Sequence, residues 1–349
     1  YGYGAGRLET LLQQRLIVMG GTPGGLYNLA RYRAAGGKKV DWTLKPFDLV
    51  VIDEASQMSL PEGILSGAFL KPEGSVIVVG DHRQMPPIIA HNWEEEEKRS
   101  ATANRPHLSL FEFLIERDFP WVALDESFRL HTTIADFLQE NVYVRDGIHF
   151  FSRRKEILTT PPLTSPLVDA VLNPQYPIVV IEHSEQSSQQ YNETEVALIT
   201  PLIDICANRL RLDGKDGIGV VVPHRAQRAI LRDHFPYLAI TDSIDTVERF
   251  QGGERDVIIV SATASDPDYV LAEADFLLNL NRLNVALSRP RKKLIVVASR
   301  SVIDLLTSDL DVFENAVIWK RLYYQYASEV LWQGQQQGVD VRVRGRLAA

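Results

Sequence analysis

Two short apolar runs, residues 47–52 and 75–79, each stop abruptly in polar residues. The first gives way to Asp53, Glu54, Ala55, Ser56 and Gln57, the second to Gly80, Asp81, His82, Arg83 and Gln84. Their Val/Ile content and length predict strands buried on both faces, as in a parallel sheet covered by helices. Sheets of that kind bind ligands beyond the carboxyl ends of their strands, so both polar clusters are expected at one rim. Elsewhere the pattern predicts helices over 8–14, 107–117 and 193–210, and strands over 16–19, 177–182 and 217–223. Residues 150–176, punctuated by Pro161, Pro162, Pro166 and Pro174, read as a surface loop. The Gln/Gly-rich end, residues 321–349, reads as a weakly ordered tail or linker.

Composition narrows the class. A chain of 349 residues exceeds what one core usually serves and predicts two domains. Hydrophobic content of 45% with 23% charged residues is that of an ordinary soluble globular protein. No apolar run approaches the ~18 residues a membrane span needs. The single cysteine, Cys206, reads as a core residue, which excludes a disulfide framework and a cysteine-ligated metal and implies a cytoplasmic or nuclear compartment. A net charge of -8 argues against bulk coating of nucleic acid but leaves room for a narrow basic channel. Basic residues cluster at 225–232 and 289–293, where they read equally well as solvated surface.

The acidic rim suggests phosphate chemistry. Asp53 suits Mg²⁺ held through its water shell, because a hard cation prefers carboxylate and water oxygens. Glu54 suits the orientation or deprotonation of a water attacking a γ-phosphate, and Gln84 the sensing of that phosphate. DEASQ and GDHRQMPP resemble motifs II and III of superfamily 1 helicases, in the 1B branch that includes the nonsense-decay RNA helicase and the replication nuclease-helicases. LDESFRL resembles motif IV, with Phe128 in place of the usual Tyr and Leu130 in place of Met. PHRAQ, TVERFQGGERDVIIVSAT and LNRLNVALSRPRKK resemble three further motifs of the second motor domain.

The resemblance implies an α/β fold of two RecA-like parallel-sheet domains: residues 1–125, N-terminally incomplete, and 126–320. It implies ATP and Mg²⁺ as cofactors. Glu54, Gln84, Arg129 and Arg289 would be catalytic, the two arginines reaching the γ-phosphate from the second domain. Asp53, Gln251, Gly252, Glu254 and Arg282 would line the nucleotide. Single-stranded DNA or RNA would meet Thr22, Pro223, His224, Arg225, Gln227 and Thr246, with travel from 5′ to 3′. Asn281 and Pro290 depart from the family pattern, and Pro290 could alter the aim of Arg289.

No GxxxxGK[ST] occurs in the sequence. The expectation is therefore a chain truncated before its P-loop, with the missing strand beside residues 75–79 supplied by an upstream segment or a partner chain. Two alternatives stay open: a split or degenerate module that binds without turnover, and a nucleotide-gated switch for a protein partner.

Overall fold

The computed structural model describes residues 14–33, 45–88, 108–235, 240–250 and 252–348. The chain separates into two compact units, Tyr1–Val122 and Ala123–Ala349. The predicted helix over 8–14 falls almost wholly outside the described residues, and residues 16–19 are not a strand.

In the first unit, β1 (Phe47–Ile52) and β2 (Leu70–Val78) run parallel, with Val50 opposite Val76 and Ile52 opposite Val78. Helices α1 (Pro23–Arg33), α2 (Leu60–Gly67) and α3 (Leu110–Ile115) complete it. Ser59 and Ser109 precede α2 and α3, and Glu62 and Glu112 reach back to their backbone N–H groups at 3.1 and 3.2 Å. These reciprocal caps fix where both helices start. A Cβ on Gly63 would lie 2.6 Å from Leu110, so glycine permits the two helices to touch.

The expectation that both strands are buried on two faces is corrected here. Ile52, Leu60 and Leu110 form a small core with Val50, Val78 and Phe111 on one face. On the other, Leu49, Val51 and Ile77 are exposed, Val51 by 56%. The cause is layering: α2 and α3 cover one side of a sheet that has two strands among the described residues.

The second unit holds a seven-stranded sheet. Its strands are β5 (Ile178–His183), β6 (Ile218–Val222), β7 (Ile244–Thr246), β8 (Arg255–Ser261), β9 (Pro290–Ser299), β10 (Glu329–Gln336) and β11 (Val339–Arg346), in the order β10-β11-β5-β9-β8-β6-β7. Strands β5 to β9 pair in parallel. Every residue of β5 and β6 is buried, which is what helices on both faces of a parallel sheet produce. A smaller parallel pair, β3 (Glu126–His131) and β4 (Phe151–Arg154), packs against β9 without being hydrogen-bonded into that sheet. The main helices are α4 (Thr132–Asn141), α5 (Pro166–Leu172), α6 (Glu193–Asp204), α7 (Arg225–Asp233), α8 (Leu280–Leu287) and α9 (Leu310–Lys320). The α/β class with parallel strands in both units is the one the sequence implied.

Two local expectations fail. Residues 150–176 contain β4 and α5; Pro166 opens α5 at its first position, where the missing N–H costs nothing. The end of the chain, expected as a loose tail, is an ordered hairpin at the sheet edge, with Val343 of β11 opposite Ile181 of β5. Gln337 and Gly338 both have positive φ, 51° and 81°, the mark of a type I′ turn that matches strand twist. Val341 and Val343 enter the core, while Arg344 and Arg346 lie 4.9 Å over the rings of Tyr323 and Tyr326.

One buried charge makes a prediction. Lys293 on β9 is almost fully enclosed, and its ammonium donates to the carbonyls of Asn173 at 2.8 Å and Tyr176 at 2.6 Å. Burial pulls its pKa from 10.5 down to about 7, against a small opposing effect of Cys206. The unfolded chain therefore binds the proton more tightly, and stability should rise with pH between about 7 and 10.5. Thermal melts across this window are expected to show a rise of a few degrees that Lys293→Met flattens; an unchanged slope in the variant would assign the rise to other groups.

Candidate functional site

Because β1 and β2 are parallel and in register at Ile52 and Val78, their following segments emerge together. Ala55 donates to the carbonyl of Val79 at 2.9 Å, and Val79 to that of Ile52 at 2.8 Å. A Cβ on Gly80 would lie 2.9 Å from the Ser56 nitrogen, so a side chain there would push the two loops apart. Asp53 and Glu54 are exposed on this rim. Glu54 has φ 53°, a left-handed conformation that costs a non-glycine residue about 1 kcal/mol and is concentrated at functional positions. Its N–H meets the Asp53 carboxylate at 2.9 Å, and Gln57 Nε2 donates to the Glu54 carboxylate at 2.7 Å. Across the rim, Asp81 accepts from Gln84 Nε2 and from the Arg83 N–H, both at 2.9 Å. Sequence reading passed over Asp81, whose place in GDHRQ one residue past a glycine could have marked it as the group that fixes Gln84.

The donor set suits Mg²⁺ in one way only. Among the described residues no three acidic, histidine or cysteine side chains gather into a cage. A single exposed carboxylate, Asp53, fits an ion that takes its remaining oxygens from water and phosphate.

Thr22 is exposed at the start of α1, where its hydroxyl accepts from the Gly25 N–H at 3.2 Å and its carbonyl from Leu26 at 3.0 Å. It therefore caps a helix.

In the second unit, residues far apart in sequence meet. Arg129 on β3 binds Glu254 at 2.7 Å and the Ser288 carbonyl at 3.3 Å. Arg289, 2% exposed, donates to the Val285 carbonyl at 2.8 Å, the Gly253 carbonyl at 3.3 Å and Ser288 Oγ at 3.0 Å. It thus lies sheathed in its own unit rather than on a solvated basic surface. Burial opposes the charge of Glu254, but Arg129 and Arg291 outweigh it and hold its carboxyl below the usual range. Gly252, with φ 77°, makes the turn that brings these groups together. Gln251 lies outside the described residues. Pro290 does not break the strand: it opens β9 opposite Arg255, whose N–H bonds the Arg289 carbonyl at 3.1 Å.

Arg282 joins a different group. Its guanidinium bonds Glu248 at 2.5 Å and sits 4.1 Å over the Phe276 ring, against which His224 also stacks at 5.4 Å. His224, at the cap of α7, has its pKa lowered by burial. Thr246 and Pro223 lie near these residues, at the carboxyl ends of β7 and β6, and Arg225 is exposed at the first position of α7. Gln227, expected to face nucleic acid, is corrected: it is fully buried, accepting from the Asn192 N–H at 2.8 Å and donating to Ser261 at 3.3 Å. Asn192 caps α6, its side chain accepting from the Glu195 N–H at 2.9 Å. Sequence reading also gave no role to Phe128, which is 78% exposed beside Arg129.

A family model described as an AAA domain matches residues 107–301, more than half of the chain. The chain belongs to that family. Its relatives place it among superfamily 1 helicases of the replication nuclease-helicase and nonsense-decay type. It is 28% identical over 265 residues to the DNA replication ATP-dependent helicase/nuclease JHS1 of Arabidopsis thaliana, covering 73% of this chain and 19% of that protein. It is 29% identical over 280 residues to Helicase sen1 of Schizosaccharomyces pombe, covering 76% and 15%. With the DNA polymerase alpha-associated DNA helicase A of Saccharomyces cerevisiae it shares 28% over 323 residues, covering 84% and 44%. The chain thus spans about a fifth of the first of these AAA-domain relatives. No helix among the described residues is long and apolar enough to cross a membrane.

Proposed function

We propose that this chain is part of an ATP-driven motor that moves along single-stranded DNA or RNA. The observation that carries the reading is the meeting of Arg129, Glu254 and Arg289, three residues from distant motifs, at one edge of the second unit. Two guanidinium groups drawn together against carbonyls and one carboxylate are held where a triphosphate could replace those acceptors.

In this reading Asp53 holds Mg²⁺, which supplies charge neutralisation on the phosphates. Glu54 orients the attacking water and takes its proton, and Gln84, steadied by Asp81, registers the γ-phosphate. Exposed Phe128 offers its ring face to the base. The nucleotide is gripped jointly with a P-loop on another segment or chain, since these 349 residues contain none. Arg129 and Arg289 engage the phosphate during hydrolysis and let it go afterwards, and that cycle shifts the strand contacts of the second unit.

Arg225, exposed at a helix N-terminus, is the strand contact that tests this reading. In protein supplemented with the P-loop segment, Arg225→Ala should abolish stimulation of ATP hydrolysis by a single strand while sparing unstimulated turnover. Undiminished stimulation would defeat the strand contact.

One observation favours a second reading. The sheathed state of Arg289 suits a module that binds a partner and does not turn over. That reading is supported if adding the P-loop segment brings nucleotide binding without hydrolysis.

A further inference from the structure

The segment between β5 and α6, residues 184–192, runs over the carboxyl ends of the parallel strands, and buried polar groups pin it there. Ser188 donates its N–H to Ser265 Oγ at 2.9 Å. The Asn192 amide donates to Glu185 and to the Thr263 carbonyl, both at 2.9 Å, while its backbone N–H meets Gln227 of α7 at 2.8 Å. Beneath them the enclosed Glu195 carboxylate accepts from the Thr263 N–H at 3.0 Å and from Ser261, and faces His183 at 3.3 Å. The segment is therefore anchored to the helix that carries Arg225.

Its outer side forms a cleft of about 630 Å³ lined by Glu185, Glu193, Ser187, Gln189, Gln190 and Tyr191 among others, with no lysine or arginine. A phosphate has no cation to meet there and two carboxylates, Glu185 and Glu193, to avoid. An uncharged planar ring with hydrogen-bonding edges fits better, because hydroxyls and amides can meet its edges and an aromatic side chain its face. Tyr191 is 51% exposed on this lining, and Gln189 and Gln190 are exposed beside it.

We propose that this cleft receives an unpaired nucleobase of the bound strand, stacked on Tyr191 and bordered by the amides of Gln189 and Gln190. The proposal rests on the reading that a strand's phosphates meet Arg225, and it adds a base contact to that backbone contact. The register is set by the Asn192–Gln227 hydrogen bond, which fixes the distance between the two.

The test compares two fluorescein-labelled strands of equal length, oligothymidine and an abasic strand, binding to the full chain by anisotropy. Wild type should prefer oligothymidine. Tyr191→Ala should lose about tenfold in affinity for it and nothing for the abasic strand, and Tyr191→Phe should keep wild-type affinity. The base cleft is overturned if Tyr191→Ala binds oligothymidine as wild type does while Arg225→Ala weakens both strands. If wild type binds neither strand, the strand reading falls and takes this proposal with it.

Discussion

Replacing Arg289 with alanine is expected to lower the rate of ATP hydrolysis by about 10³-fold or more, the range seen when a guanidinium that stabilises a transferring phosphate is removed. The measurement is single-turnover hydrolysis by protein supplemented with a P-loop segment, with nucleotide affinity determined alongside. The structure adds a complication that the sequence did not show, because Arg289 is also a packed side chain hydrogen-bonded to Val285, Gly253 and Ser288 inside its unit. Its removal leaves the carbonyls of Val285 and Gly253 without this donor, at a cost of about 1–3 kcal/mol in stability. The two roles separate with Arg289→Lys, which keeps the charge and loses the fork. A structural arginine predicts that both variants lose stability in proportion to activity. A finger predicts that rate collapses in both while nucleotide binding and the melting temperature of the lysine variant stay near wild type. Hydrolysis within a few-fold of wild type in the alanine variant would remove Arg289 from the chemistry.

That contrast shows what the sequence could and could not disclose. The parallel strands were legible because an unbroken Val/Ile run has no polar face to turn to solvent and so belongs in a sheet covered on both sides. Strands β5 and β6 are such runs, whereas β1 and β2 carry the same pattern and are covered on one face only. The polar ends of β1 and β2 were legible as one rim because parallel register follows from the same pattern. Side-chain exposure was not, since it depends on what packs from elsewhere. Gln227 and Arg225 stand two positions apart in one motif, yet one is enclosed by Asn192 and Ser261 and the other is in solvent. Lys293 illustrates the same limit: in a run of basic residues it looks like surface, and only its position on a central strand makes it a buried donor. The end hairpin was readable in principle from the alternation in VDVRVRGR after a Gln-Gly pair, but the Gln-rich composition masked a period of two.

Glu54→Gln is the substitution that isolates chemistry from structure most cleanly. The side chain is exposed and held by one donor, Gln57, at 2.7 Å, and an amide oxygen can accept that bond as a carboxylate does. The left-handed backbone at this position is no harder for glutamine than for glutamate, so the fold should not change. What disappears is the capacity to take a proton from water. Loss of a general base is expected to cost about 10²–10⁴ in rate, with ATP affinity and strand affinity retained. In protein supplemented with a P-loop segment, the variant should therefore accumulate as a nucleotide-bound, strand-bound species. Single-turnover hydrolysis at the wild-type rate would place the base elsewhere on the rim, and Asp81, the carboxylate that follows β2, would become the residue to replace next.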